Sequence, residues 1–389
     1  GSKVTLEILP KGIGPEGPSK TIELVRNKIN LEQQAAKSST IKTDSGNKIG
    51  IISLAAFYMD FAAHSRGDKD YRSTTRDVRK LINELQSDEV NGIVIDLRGN
   101  GGGSLNEALE LTGLFIEAGP IVQTKDVSGH VEINHDPDSE LLYAGPLAVL
   151  VDRNSASASE IFAGAIQDYR RGIIIGEPTF GKGTVQNIVD LNRFDTSSDE
   201  DLGKLKTTIA QFFRVSGGSN QYRGVVPDIL YPIAESAEEY GERAYANALP
   251  WDSVEPARYQ PAHAPIDKFD QARKAHKARI AKDQAFTSYV KRNEFIQDAR
   301  NRNTVSLNIE QRKAERDKLV SQHEDLDDEY KSALADVIGS DDDDSGNTER
   351  EDNKPDILLK EAARILDDLI LPDQLHAGQE EKKRSPSRL

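Results

Sequence analysis

The sequence predicts an α/β core joined to a charged α-helical C-terminal region, and three observations carry that expectation. Short apolar runs (Ile49–Leu54, Gly92–Arg98, Pro146–Asp152, Gly172–Glu177) recur in the first half, as in strands of a sheet covered on both faces. Segments with apolar residues at helical spacing lie between them, and strand–helix–strand at this spacing makes βαβ units. From about Pro250 onward apolar residues become sparse among Lys, Arg, Asp, Glu, Gln and Ala, the texture of charged helices with a thin apolar stripe.

Taken in order, Val4, Leu6 and Ile8 alternate with polar residues, Pro and Gly dominate residues 10–18, and Ile22 and Leu24 follow. Residues 1–27 therefore read as a hairpin. Two strands alone do not make a stable sheet, so the hairpin is expected to close a larger domain. Residues 28–45 are polar and read as a linker. Ser73–Leu85 places Val78, Leu81, Ile82 and Leu85 on one helical face. The run Gly92–Arg98 meets the loop Gly99-Asn100-Gly101-Gly102-Gly103. Ser104 with Glu107 three residues later is a capping-box signature for a helix running towards Ala118. Ile121–Val122 and Val131–Ile133 flank Ser128-Gly129 as a second hairpin. A helix from about Ser157 to Tyr169 follows the buried strand at Pro146–Asp152, and residues 184–189 have strand character. Farther on, residues 266–335 read as charged helices, Asp341–Asp344 as a solvated acidic loop, and Ile357–Leu371 as an amphipathic helix. The stretch from Gln379 is rich in Lys, Arg and Ser and is expected to be disordered.

The 389 residues give room for roughly two to three domains. A formal charge of −15 and a pI near 5.1 oppose phosphate neutralisation, which argues against nucleic-acid binding. The mean hydropathy is −0.59, and no apolar run reaches the ~18 residues of a membrane-spanning helix. Cysteine is absent, which removes a thiol nucleophile, thiolate metal sites and disulfides. The chain opens Gly-Ser-Lys and its single methionine is Met59, so it is read as a piece of a longer protein.

Two glycine-rich stretches invite a nucleotide reading and do not support it. Gly176-Glu-Pro-Thr-Phe-Gly-Lys-Gly-Thr184 has Gly183 where a P-loop needs Ser or Thr after the lysine, and a strand follows instead of a helix. Gly99–Gly103 gives Gly-x-Gly-x-x-Ser without the acidic residue of a dinucleotide site. Its glycines nonetheless bring backbone N–H groups to a helix N-terminus, where negative charge is stabilised. An ordinary tight turn is the competing reading. Ser157 is a sharper candidate, because it opens a helix after a buried strand and small neighbours, Ala156 and Ala158, leave room for a substrate backbone. A serine nucleophile needs a base, and the seven histidines fall in polar loops, beside a hairpin or in the charged C-terminal region. Lys182, between two glycines in an apolar stretch, is the alternative: burial disfavours the ammonium and lowers its pKa. A Ser–Lys pair is a known variant of triad logic. On the residues alone, an ordinary loop lysine remains the better-supported reading.

Taken together, Asp96-Leu-Arg-Gly-Asn-Gly-Gly-Gly103, Asp152-Arg-Asn-Ser-Ala-Ser-Ala-Ser-Glu-Ile-Phe-Ala163 and Gly176-Glu-Pro-Thr-Phe-Gly-Lys-Gly-Thr-Val-Gln186 resemble the carboxyl-terminal processing peptidases (family S41), in their tail-specific branch. The resemblance runs through essentially the whole chain, including the charged region that starts at Asn247-Ala-Leu-Pro-Trp-Asp252. It implies a crotonase/ClpP-like protease core and a serine endopeptidase that cleaves proteins recognised through their C-terminal tails. It assigns Ser157 as nucleophile, Lys182 as general base and Gln186 as the group orienting the lysine. The N–H of Ala158 and of Gly103 or Gly102 would form the oxyanion hole, and Asp168 a structural support. No metal or cofactor is implied. The expected divisions are 1–27, a closing hairpin of a PDZ domain; 28–235, the protease core; and 236–389, a helical extension with a disordered tail. The implied setting is the periplasm. The implied partners are unfolded or tail-exposed proteins, envelope and cell-wall enzymes, and a lipoprotein adaptor. Two rival readings stand beside it, a crotonase-type acyl-CoA enzyme and a non-catalytic adaptor-docking scaffold.

Overall fold

The computed structural model describes residues 1–10, 17–27, 34–136, 140–194, 201–232, 240–261, 266–338 and 356–370. The acidic run Asp341–Asp344 and the tail from Gln379 lie outside the described residues. The N-terminal hairpin is present as β1 (Lys3–Ile8) paired antiparallel with β2 (Lys20–Val25). Of the linker expected at 28–45, residues 28–33 lie outside the described residues and the remainder is corrected: β3 (Lys37–Lys42) pairs antiparallel with β4 (Lys48–Ser53) at a sheet edge. Nearly all its side chains are exposed, so polar residues suffice there and no apolar alternation marks the strand.

Next come α1 (Phe61–Ser65), α2 (Thr74–Ser87), β5 (Gly92–Asp96), α3 (Leu105–Gly113), β6 (Pro120–Asp126), β7 (Val131–His135), β8 (Leu147–Val151) and α4 (Ala158–Asp168). They are followed by β9 (Ile173–Gly176), β10 (Thr184–Asp190), β11 (Lys204–Phe213) and β12 (Ile229–Leu230). The charged region supplies α5 (Ile266–Ile280), α6 (Gln284–Asn301), α7 (Ile309–Ile338) and α8 (Ile357–Ile370). Helix α3 stops at Gly113, short of Ala118, because Leu114 and Phe115 switch to i−3 carbonyls and tighten the last turn. Its capping box is also half made. Ser104 Oγ accepts from the Glu107 N–H (3.4 Å), but the Glu107 carboxylate turns to Thr75, accepting from its N–H (2.8 Å) and hydroxyl (2.9 Å).

The central sheet has the order β12-β9-β8-β5-β4-β3, parallel except at β3, and a second, antiparallel sheet has the order β10-β11-β6-β7. Alternation along the central strands sorts their side chains to opposite faces. Ile93 and Ile95 of β5, with Leu147, Val149 and Val151 of β8, join Val78, Ile82, Leu111 and Phe162 in one cluster. Val94, Ala148 and Leu150 join Ala272, Phe286, Leu334, Ala362, Ile365 and Leu366 in another. The charged C-terminal region thus covers the second face of the sheet, which is why those strands are apolar throughout. Each such aliphatic side chain, once buried, contributes about 1.5–3 kcal/mol. Helix α8 lies so close to β5 that a Cβ on Gly92 would meet Leu366 Cδ2 at 3.0 Å. Polar ties fix its register: Asp367 accepts from Ser45 Oγ (2.9 Å) and Asn47 Nδ2 (2.6 Å), and Glu361 accepts from Arg279. The α/β class and the helical C-terminal region are as the sequence predicts.

Candidate active site

Three loops at the C-terminal ends of β5, β8 and β9 converge, and each is tied down by a buried polar side chain. In the glycine loop, Asn100 is fully buried; its Nδ2 donates to Leu54 O (2.9 Å), and its Oδ1 accepts from the Gly102 N–H (2.9 Å). Its own carbonyl accepts from Ala156 N–H (3.0 Å) and Ser159 Oγ (2.9 Å), which docks this loop against the start of α4. Gly102 has φ +99°, and a Cβ there would meet Ala156 O at 2.7 Å and Ser157 Cβ at 2.8 Å. Only glycine fits between the loops.

Ser157 sits at the sharp turn from β8 into α4 with φ +58° and ψ −113°. A non-glycine residue in that region is strained, and such strain persists where the surroundings fix it. What fixes it is Glu160, fully buried one turn into α4. Its Oε2 accepts from the N–H groups of Ser157 (2.8 Å) and Lys182 (3.0 Å). Its Oε1 accepts from Thr179 Oγ1 (2.6 Å) and the Gly181 N–H (2.7 Å). One carboxylate therefore holds both the serine and the lysine loop. Burial pushes it up to about 7, although its four donors pull the other way. The lysine loop is pinned on its far side too: the Gly183 N–H donates to Gln221 Oε1 (2.8 Å), and a Cβ on Gly183 would meet Gln221 N at 2.6 Å. That close approach explains the glycine that spoils the P-loop pattern.

A cavity of about 390 Å³ lies between these loops, lined among others by Gly102, Gly103, Ser157, Ala158, Lys182 and Gln186. Lys182 is half-buried, and its amine is held below the usual lysine value chiefly by burial, with the charge of Lys206 adding to the effect. Among the described residues, the N–H groups of Gly103 and Ala158 donate to no protein acceptor. They are free for a ligand oxygen. A larger open cleft of about 1150 Å³, beside Phe115, Tyr169 and Tyr259, holds none of these residues.

The sequence profile of Peptidase family S41 matches residues 48–231, and that of the C-terminal domain of tail specific protease matches residues 236–371. Over 381 residues the chain is 41% identical to a tail-specific protease of Haemophilus influenzae, covering 95% of this chain and 51% of that one. Residues 48–231 belong to peptidase family S41. A carboxy-terminal-processing protease of Bartonella bacilliformis is 32% identical over 236 residues, 58% of this chain and 50% of that one. A solved photosystem II D1 C-terminal processing protease superposes with a TM-score of 0.43 at 29% identity, over 59% of this chain and 55% of that chain. The chain spans about half the length of the curated relatives it matches.

In this S41 region the structure brings Ser157, Lys182, Ala158, Gly103 and Gln186 to one cavity. Three expectations need correction or refinement. Gly102 cannot offer its N–H to an oxyanion, because Asn100 already takes it, so of the two glycines Gly103 is the available donor. Gln186 lines the cavity from an exposed position on β10, just past a bulge between Val185 and Gln186. Among the described residues no hydrogen bond joins it to Lys182. Asp168 lies at the far end of α4, where it accepts from Arg214 Nη2 (2.7 Å) and Nε (3.0 Å). No histidine lines the cavity. Asn100 and Glu160 escaped the sequence reading. A signal for Glu160 existed, since Ser157 and Glu160 have the capping-box spacing that also marks Ser104 and Glu107.

A Gly102→Ala substitution tests the loop packing. The methyl group has no space and the backbone has a positive φ, so kcat/KM should fall by about 10²-fold through displacement of Ser157. Gly101→Ala, where a Cβ meets nothing within 4 Å, should have a much smaller effect. Steady-state kinetics with a circular-dichroism melt for each variant separates misplacement from unfolding.

Proposed function

We propose that this chain is the catalytic part of a serine endopeptidase of the tail-specific, C-terminal processing type, acting through a Ser157–Lys182 dyad. The observation that carries the reading is the shared cavity, in which a strained serine, a half-buried lysine and two unpartnered N–H groups meet. Neutral Lys182 Nζ takes the proton of Ser157 Oγ as the oxygen attacks the peptide carbonyl carbon. The N–H groups of Gly103 and Ala158 receive the oxyanion, each such donor being worth about 2.7–4 kcal/mol in the transition state. The Lys182 ammonium returns its proton to the departing amine as the C–N bond breaks. Water, deprotonated by the same amine, then attacks the acyl ester and the proton goes back to Ser157 Oγ. In this reading Gln186 acts on the lysine only after it swings from its exposed position, and Asp168 supports the fold through Arg214.

The substrates are proteins recognised by their exposed C-terminal tails, in keeping with the names of the similar proteases. The periplasmic setting, the adaptor and the PDZ origin of residues 1–27 belong to the same reading and rest on the sequence motifs. Among the described residues no helix is long and apolar enough to cross a membrane. The direct test is a fluorophosphonate probe with peptide mapping by mass spectrometry, alongside cleavage of an unfolded, C-terminally tagged protein. A single adduct at Ser157 is expected. No adduct there, or an adduct whose formation leaves cleavage intact, overturns the assignment.

A further inference from the structure

The candidate cavity holds a second cation. Lys206 of β11 lines the same space as Ser157 and Lys182. It is paired across the ribbon with Ile188, two residues along the strand from Thr208, which faces Gln186. Among the described residues its ammonium has no hydrogen-bond or ion-pair partner. The lining contains no carboxylate, and its two lysines are its only basic groups. Two ammonium ions in one small space disfavour each other. Lys206 is exposed, and Lys182 is the half-buried one, on which this repulsion adds to the effect of burial.

We propose that Lys206 is a positioning residue of this active site, a fixed positive charge that keeps Lys182 in its neutral, proton-accepting form. The proposal rests on the dyad reading above and adds to it the source of the lysine's neutrality. The charges acting on Lys182 come from three elements. Burial lowers it first and Lys206 next, while Glu242, from the turn Glu242–Ala244, and Glu160, from α4, act in the opposite sense. Glu160 is occupied by four donors, and Glu242 accepts from Gln221 Nε2 (3.3 Å). Lys206 therefore acts against the two acidic side chains that favour the ammonium.

The test is the pH dependence of fluorophosphonate labelling of Ser157, which needs no peptide turnover. In Lys206→Gln the labelling rate on the acid limb should fall about two- to fivefold, the size expected of an exposed charge–charge interaction. The loss should grow as pH falls, Lys206→Glu should deepen it, and Lys206→Arg should restore the limb. Added salt should move the limb of the unaltered protein towards that of Lys206→Gln. Lys204→Gln, on the same strand but outside the cavity, should leave it in place. An acid limb in Lys206→Gln that superimposes on the original overturns the proposal. If Lys182→Ala is unreactive in the same assay the dyad survives that result, whereas labelling that persists in Lys182→Ala removes the dyad and this proposal together.

Discussion

Replacing Lys182 with Ala is expected to lower kcat by roughly 10²–10⁴-fold, the usual worth of a positioned general base. The loss should appear in kcat and kcat/KM alike, because the amine moves a proton only on the way to the transition state. The pH profile supplies the sign. Burial lowers the amine from its usual value of 10.5, so the active neutral form fills in above that lowered pKa and activity rises with pH through it. In Lys182→Ala this limb should disappear, leaving only whatever dependence hydroxide or another group imposes. Turnover in Lys182→Ala that keeps both its size and its acid limb would remove the lysine from the chemistry.

The second large effect is expected at Glu160. Four donors converge on its two oxygens, and three of them are backbone N–H groups that cannot reverse roles. In Glu160→Gln one oxygen becomes an NH₂ group, which leaves two donors unpaired at about 1–3 kcal/mol each. Because Ser157 and Lys182 hang from the same oxygen, turnover should also fall by about 10²-fold, the cost of a small misplacement. The stability effect carries a pH signature. Glu160 titrates from 4.5 when unfolded and about 7 when folded. Its contribution is thus fully present below 4.5 and lost as pH rises to about 7, up to about 3 kcal/mol. Urea unfolding across pH 4–8 should therefore show the difference between the two proteins narrowing towards neutrality. A constant difference would place the ionisation elsewhere.

How much of this was legible depends on what kind of signal each residue leaves. Ser157, at a helix start between small neighbours, is singled out by local sequence, whereas Lys182 reads alone as a loop lysine and stands out only through the family resemblance. Glu160 and Asn100 act through backbone N–H and C=O groups of loops distant in sequence, and a buried carboxylate reads as an ordinary helix residue until those loops are in place. Lys206 sits on β11, a half-exposed, lysine-rich strand with no apolar alternation to announce it. The edge strand β3 is hidden for the same reason. For the charged C-terminal helices the apolar stripe was readable, but not its destination on the second face of the central sheet. The strands had hinted at a cover on both sides, and nothing local says which segment supplies it.

That cover comes from far along the chain. Asn47 and Asp367, which meet through a hydrogen bond, are 320 positions apart in the chain. As the polypeptide leaves the ribosome, Val94, Ala148 and Leu150 emerge well before α8 (Ile357–Ile370) can shield them. Non-local closure of this span is slow, and an uncovered apolar sheet invites wrong associations meanwhile. Arg98, next to the glycine loop, also bonds Asp356 at the start of α8. Helix α8 is therefore tied directly to the strand end that carries the candidate site, so a chain that has emerged only through β12 presents that site without one of its supports.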